Sequence, residues 1–152
     1  MEKSYFPAGL LVAMILTGGL FLTIEGMAGQ VGSQSQAIFK VPFEFRAADT
    51  KIRAGEYWFG FNKEGKLILR QISSGKELEI PVLERLSPPE PLPAEPRLVF
   101  DEVGDFAPSY TEYYTVYVLS EIWLSAKDGC YLIHTTKGTH KERIITGIPA
   151  AK

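Results

Sequence analysis

Apolar and polar residues alternate with a period of two through much of this chain after residue 36. In Phe39–Arg46 the odd positions are Phe, Val, Phe and Phe, while the even positions are Lys, Pro, Glu and Arg. Successive side chains of a β-strand point to opposite faces, so this pattern predicts a strand with one buried face. Pro42 has no backbone N–H to give to a sheet, so we expect this strand at an edge.

Three further segments continue the alternation, and short polar turns separate them. The segments are Glu56–Asn62, Lys66–Ile72 and Glu77–Glu84, with turns at Asn62–Gly65 and Ser73–Lys76. The pattern of the last segment places Leu78, Ile80 and Val82 in the core. Strands joined by such short turns predict an antiparallel meander.

The second half of the chain predicts more strands and no helix. Arg97–Val103 is a strand that ends at Gly104, and Tyr113–Ser125 is the longest apolar stretch after the N-terminal segment. We expect Tyr113–Ser125 to be a central strand covered on both faces, and Cys130–Thr136 to pair back with it through the turn Ala126–Gly129. The predicted fold is all-β, a small antiparallel β-sandwich or barrel of about seven strands.

Five prolines interrupt the pattern within the ten residues 87–96. Such a segment forms neither helix nor sheet ladder, and it is stiff and extended. It is either a spacer that crosses between two sheets or a docking surface for a partner. Pro88, Pro89 and Pro91 are candidate interface residues of the second interpretation.

The first residues predict one apolar helix ahead of the β domain. Pro7–Ile24 contains eighteen residues and no charge, and such a helix would be about 27 Å long, close to the thickness of a bilayer core. Lys3 precedes it, which favours an N-terminus in the cytoplasm. The helix is either a retained anchor in the inner membrane, in contact with lipid through residues 7–24, or a signal peptide cleaved near Ala28.

These features divide the chain into four parts. Residues 1–29 are the membrane anchor or signal segment, 30–36 a linker, 37–146 the antiparallel β domain and 147–152 a C-terminal tail. The β domain is then expected in the periplasm, anchored to the inner membrane, or else periplasmic or secreted after cleavage.

Charge and cysteine content exclude several classes of function. The net charge is −2 and no run of Lys or Arg occurs, so the chain lacks the basic surface of a nucleic-acid binder. Cys130 is the only cysteine, which excludes an intrachain disulfide, and we expect it to be buried.

No residue pattern indicates catalysis, a cofactor or a metal. Cys130 and His134 lie four apart on a predicted strand, about 13 Å from each other, which is too far for a catalytic pair. His134 and His140 could meet the acidic residues Asp101, Glu102 and Asp105, but the sequence indicates no convergent third ligand. We therefore expect a non-enzymatic protein without cofactor or metal.

Aromatic side chains supply the other interface candidates. These are Trp58, Tyr110, Tyr113, Tyr114 and Trp123, because Tyr and Trp are enriched at protein interfaces. The alternative is that they pack in the core and in cross-strand pairs. Trp58 and Trp123 lie on the faces opposite to the main inward sets of their strands, which favours an interface.

Four short motifs carry a family resemblance over roughly residues 37–125. They are Phe39–Phe45, Ala54–Tyr57, Leu98–Phe100 and Leu119–Trp123. In this order they resemble a group of small exported β proteins common in Acidobacteria. The chain departs from that group in the proline-rich residues 87–96 and in Tyr110–Val116. The resemblance implies export and a compact β domain, and it implies no activity.

Together these expectations favour an interaction module on the extracytoplasmic face of a bacterial membrane, a single-span accessory subunit of a larger membrane complex. Its partners would be other membrane or envelope proteins. The alternative is a cleaved, soluble periplasmic or secreted β protein that binds a small apolar ligand.

Overall fold

Twelve β-strands run through residues 35–106 and 113–151, the part of the chain that the computed structural model describes. The strands are β1 (Ala37–Val41), β2 (Phe45–Ala47), β3 (Thr50–Ile52), β4 (Gly55–Phe61), β5 (Leu67–Gln71), β6 (Glu77–Glu79), β7 (Glu84–Leu86), β8 (Arg97–Phe106), β9 (Tyr113–Trp123), β10 (Cys130–Leu132), β11 (Lys141–Thr146) and β12 (Ile148–Pro149). The described residues contain no α-helix and one turn of 3-10 helix, Ala126–Asp128. The predicted all-β class is confirmed.

The strands form two hydrogen-bonded sheets. The first has the order β12-β1-β4-β5-β6, and its neighbours are antiparallel. The second has the order β11-β8-β9-β10-β7, and β2 joins it by a short parallel pairing with β9. The predicted meander is present as β4-β5-β6.

Prolines account for two of the five strands beyond the seven predicted, and the other three are β3, β11 and β12. The predicted strand Phe39–Arg46 is broken after Val41, so that β1 lies in the first sheet and β2 in the second. Pro42 therefore lies outside the strands, and β1 is flanked by β4 and β12. The prediction of an edge strand at Pro42 is wrong, because the strand ends before the proline and does not contain it.

Pro81 has the same effect on the predicted strand Glu77–Glu84. The chain leaves the first sheet after β6 and enters the second as β7. Ile80 is buried as predicted, but Val82 is exposed, so its predicted place in the core is wrong. Because the chain leaves the first sheet at this point, the alternation that buries Ile80 does not continue to Val82.

The pair β8–β9 is the longest in the fold and runs from Arg97↔Trp123 to Phe106↔Tyr113. A β-bulge falls between Val99 and Phe100, where the buried hydroxyl of Ser120 donates to the Val99 carbonyl at 3.1 Å. β9 lies in the middle of the second sheet, as predicted. Leu119, Ser120, Ile122 and Trp123 at its end are buried, whereas the side chain of Tyr114 is exposed.

One hydrophobic core draws side chains from both sheets. Phe39 and Phe59 of the first sheet meet edge to face at 5.4 Å between ring centroids, and Phe45 and Phe100 of the second do so at 5.2 Å. Phe45 also meets Tyr57 of the first sheet at 5.8 Å. Such edge-to-face contacts add to the stabilisation from apolar burial.

The two ends of the described region lie side by side. β12 pairs with β1, the Ala150 N–H donates to the Gln36 carbonyl at 2.9 Å, and the Gln36 side chain donates to the Ala151 carbonyl at 2.8 Å. Residues 148–150, which the sequence assigns to the tail, are thus hydrogen-bonded to β1 and to Gln36, the residue that precedes β1.

Within residues 35–106 and 113–151, no helix has the length and apolarity needed to cross a membrane. The predicted apolar helix over residues 7–24 and the cleavage position near Ala28 lie outside the described residues.

Candidate functional surfaces

The most exposed stretch of the described chain is residues 81–92, which we call the exposed strip. Every one of its twelve residues is exposed, including Pro88, Pro89 and Pro91. Four large apolar side chains lie in it: Val82, Leu83, Leu86 and Leu92, with Leu83 65% exposed. Apolar side chains scattered singly are ordinary on a surface, but four within eleven residues form a candidate binding surface.

The strip is held to the domain along one side. The Leu83 N–H donates to the Leu132 carbonyl at 2.8 Å, and β7 pairs with β10. The Arg85 guanidinium donates to the Asp128 carbonyl at 2.8 and 3.0 Å and lies 5.5 Å from the centre of the Tyr131 ring. The strip is thus anchored while its apolar side chains remain partly exposed to water.

Trp58 lies on the outer face of the first sheet in a row that crosses all five strands. The row is Ile148–Ile38–Trp58–Arg70–Glu77. The Arg70 guanidinium lies 4.6 Å from the Trp58 ring centre, and its Nε donates to Glu77 at 2.7 Å. Trp58 is half-buried, so part of its ring remains available to a partner.

Trp123, in contrast, is 6% exposed and packs with Val99 and Cys130. Arg97 lies 4.7 Å from its ring centre, and its Nε1 donates to Glu121 at 2.8 Å. Contrary to the expectation from sequence, Trp123 offers almost no surface to a partner, because a second small core forms on the outer face of the second sheet.

Two of the three tyrosine candidates, Tyr113 and Tyr114, lie in β9. Tyr114 is exposed near the start of β9, and Tyr113 begins that strand. Tyr110 lies outside the described residues.

Cys130 is buried, as expected, and is not poised for chemistry. Burial, assisted by the nearby Glu121 carboxylate, raises the pKa of its thiol to about 12. His134 is exposed whereas Cys130 is fully buried. The thiol therefore stays protonated near neutral pH and lacks the activation that a nucleophile needs.

Three potential metal ligands converge where β8 meets β11. Asp101 lies on β8 and is 3% exposed, and Glu142 is its direct cross-strand neighbour on β11. His140 precedes β11, with its Nε2 3.4 Å from Asp101 Oδ1 and its Nδ1 3.0 Å from the Gly138 carbonyl. One ligand atom from each of Asp101, His140 and Glu142 lies within 4.8 Å of the other two.

Sequence reasoning considered two members of this group and missed the third. Asp101 and His140 were among the candidates, while the candidates His134 and Glu102 do not join the cluster. Glu142 was missed because β11 was not predicted. The available signal was its spacing of two from His140, which places both side chains on one face of an extended chain.

An open cleft with a volume of about 480 Å³ lies between β3 and β6. Its lining includes the apolar side chains of Ile52 and Tyr57 and the charged side chains of Lys51, Arg53, Lys76 and Glu77. The cleft is open and partly lined by charged groups, and in these respects it differs from an enclosed apolar pocket.

No protein-family model, curated protein or solved structure matches this chain.

Proposed function

We propose that this protein is a non-enzymatic interaction module on the extracytoplasmic face of a bacterial membrane, and that it docks a partner protein through the exposed strip. The observation that carries the proposal is the unbroken exposure of residues 81–92, with their four apolar side chains and three exposed prolines beyond β7. Full burial of a wholly exposed Val or Leu side chain contributes about 1.5–3 kcal/mol. The four side chains are 38–65% exposed, so a partner that covered them would recover a fraction of that energy.

The chemistry of the strip favours a partner with an aromatic-lined groove. Proline restricts the backbone, so a proline-rich segment loses little conformational entropy when such a groove binds it. Addition of a partner strand to the edge of β7 is disfavoured, because β7 has three residues and lies between Pro81 and Pro88. Short edges flanked by proline are typical protections against strand pairing.

The membrane location rests on the sequence of residues 7–24. Their lack of charge and their length suit a single span, which would make the protein an accessory subunit of a membrane complex. The resemblance to exported β proteins of Acidobacteria agrees with this proposal. The shared core supports the finer description of the fold as a two-layer sandwich.

An internal apolar ligand, the alternative function, has less support. Phe39, Phe45, Phe59 and Phe100 are buried in the core between the sheets, and the cleft between β3 and β6 is open and partly lined by charged side chains. We therefore favour a surface function over an internal one.

Site-specific photo-crosslinking in native membranes tests the docking surface. A photoreactive residue at Leu83 or Leu92 should give a discrete adduct, and the same probe at exposed Lys63, in the β4–β5 turn, should give none. Leu83→Glu should abolish the adduct from position 92 while leaving the unfolding midpoint unchanged. Equal labelling from positions 63 and 92 would contradict a docking role for the strip.

Intact mass and detergent dependence of the native protein test the anchor. A chain that retains Met1 and needs detergent for extraction supports the anchored subunit. A soluble chain that begins near Gly29 would instead favour the periplasmic alternative, and the crosslinking result would then decide separately whether the strip binds a partner.

A further inference from the structure

We propose that Asp101, His140 and Glu142 bind a divalent first-row transition-metal ion of the zinc class. The site lies where the edge strand β11 joins β8, and it uses none of the residues of the exposed strip. The inference is therefore independent of the proposed docking function.

The separation of two ligand atoms fits a metal better than a hydrogen bond. His140 Nε2 and Asp101 Oδ1 are 3.4 Å apart. A charge-assisted hydrogen bond between such groups spans about 2.7–2.9 Å. Two ligands that each lie about 2.1 Å from a tetrahedral zinc ion are about 3.4 Å apart, so the observed gap leaves room for an ion between them.

The hydrogen bond of the other ring nitrogen prepares His140 to be a ligand. A carbonyl oxygen can only accept, so the proton in the 3.0 Å contact with Gly138 resides on Nδ1. With Nδ1 engaged in that hydrogen bond, Nε2 is the ring nitrogen that faces the Asp101 carboxylate and is placed to bind an ion. An Nδ1–H bonded to a carbonyl is the usual way of orienting a metal-bound histidine.

The burial of Asp101 adds an independent argument. Its side chain is 4% exposed, and among the described residues its one ion-pair partner is His140. A buried carboxylate is costly without a charge partner or a metal. No Lys or Arg of the described region pairs with it, so a bound cation would supply a permanent positive charge that His140 provides only when it is protonated.

The ligand types select the class of ion. One imidazole and two carboxylates suit zinc and its first-row neighbours, while calcium and magnesium prefer oxygen ligands alone. Glu142 is exposed, so water can reach the ion and complete its coordination. The ion would tie the segment Gly138–His140 and the edge strand β11 to β8, and its role would be structural.

Calorimetric titration of the full-length protein tests the site. The chain is purified in detergent without a polyhistidine tag, stripped with a chelator and titrated with zinc chloride. We expect a single equivalent of zinc to bind to the parent protein and to His134→Ala, and none to His140→Ala. Zinc should also slow amide hydrogen exchange in β11 of the parent but not of His140→Ala. Equal zinc binding by the two histidine variants would overturn the proposal, as would no binding by the parent.

The variant H140C keeps the test decisive if His140→Ala or Asp101→Asn is poorly folded. With cobalt(II) in place of zinc, H140C should show thiolate-to-metal charge-transfer absorption that the parent lacks, because Cys130 is buried away from the site. Absence of that absorption in folded H140C would show that residue 140 does not contact the ion. Binding of calcium in preference to zinc would likewise contradict the proposed class of ion.

Discussion

An arginine lies over each tryptophan of this domain, Arg70 over Trp58 and Arg97 over Trp123. The two rings nevertheless differ in burial, because different residues lie beneath them. Below Trp123 lie Val99 and Cys130, so the ring sinks into a second small core. Trp58 lies over Gly60 on the outer face of the first sheet and remains half-buried. Whether an outward-facing tryptophan is exposed thus depends on neighbours across the strands, which alternation within one strand cannot reveal.

Gly60 makes room for the Trp58 ring. A Cβ at position 60 would lie 2.5 Å from Trp58 Cζ2, too close for van der Waals contact. We expect Gly60→Ala to destabilise the fold by about 1–2 kcal/mol, because the ring must move off its site. Urea unfolding of Gly60→Ala alone and in a Trp58→Ala background measures the effect. If the cost is the same in both backgrounds, the ring contact is not its cause.

Cys130 should make stability fall at alkaline pH. The pKa of the thiol rises from 9.0 to about 12 on folding, chiefly by burial, so between these values the unfolded chain binds fewer protons than the folded one. The contribution of the thiol is complete below pH 9 and is lost as the pH rises towards 12, by up to about 1.4 kcal/mol per pH unit. Urea unfolding between pH 8 and 10.5 should show a shallower decline for Cys130→Ala than for the parent. Parallel curves would contradict the raised pKa.

At the scale of elements, the alternation of Phe39–Phe45 and of residues 56–72 was enough to predict strands and a meander. It could not show where the chain changes sheet, because a strand that is cut at Pro42 or Pro81 keeps its alternating letters. β11 escaped prediction because most of its side chains are exposed, including Ile144. Glu142 was missed for the same reason, because it meets Asp101 only through the pairing of β8 with β11.

The β2–β3 hairpin carries a local cost that substitution can relieve. Its turn residues Ala48 and Asp49 have φ angles of 49° and 62°, a region that residues with a Cβ adopt at a cost. Ala48→Gly should raise the free energy of unfolding by about 0.5–1 kcal/mol. Ala54→Gly is the matched control, because Ala54 is also exposed but has no positive φ, and it should bring no gain. A loss of stability in Ala48→Gly would mean that the turn is not strained.

At the scale of the whole molecule, distant parts of the chain meet in every layer. β2 pairs with β9, β8 with β11 and β1 with β12. Each sheet therefore forms only when segments that are far apart in the sequence come together. Folds dominated by such pairings fold in milliseconds to seconds. Within the part of the chain that the structure describes, the buried core cluster lies between Ala37 and Ile133, and Ile145 of β11 packs against it.

Residues 32–152 should therefore fold on their own. We expect this fragment to give a β-type circular dichroism spectrum, a single cooperative urea transition and refolding no faster than the millisecond range. Stopped-flow fluorescence, with Trp58 and Trp123 as probes, provides the rate. A broad, non-cooperative transition would show that residues 1–31 contribute to the fold.

The pairing of β12 with β1 has a mechanical consequence. The two strands are antiparallel, and Gln36 and Ala151 lie at the same end of the pair. A force that separates these two residues therefore breaks the hydrogen bonds between the strands one after another. β1 is held on its other side by β4, so β12 would peel away first while the two sheets remain intact. In an optical trap, a small extension at low force should precede the main unfolding event. The pairing of β12 with β1 would thus open reversibly under load and re-form when the load is removed.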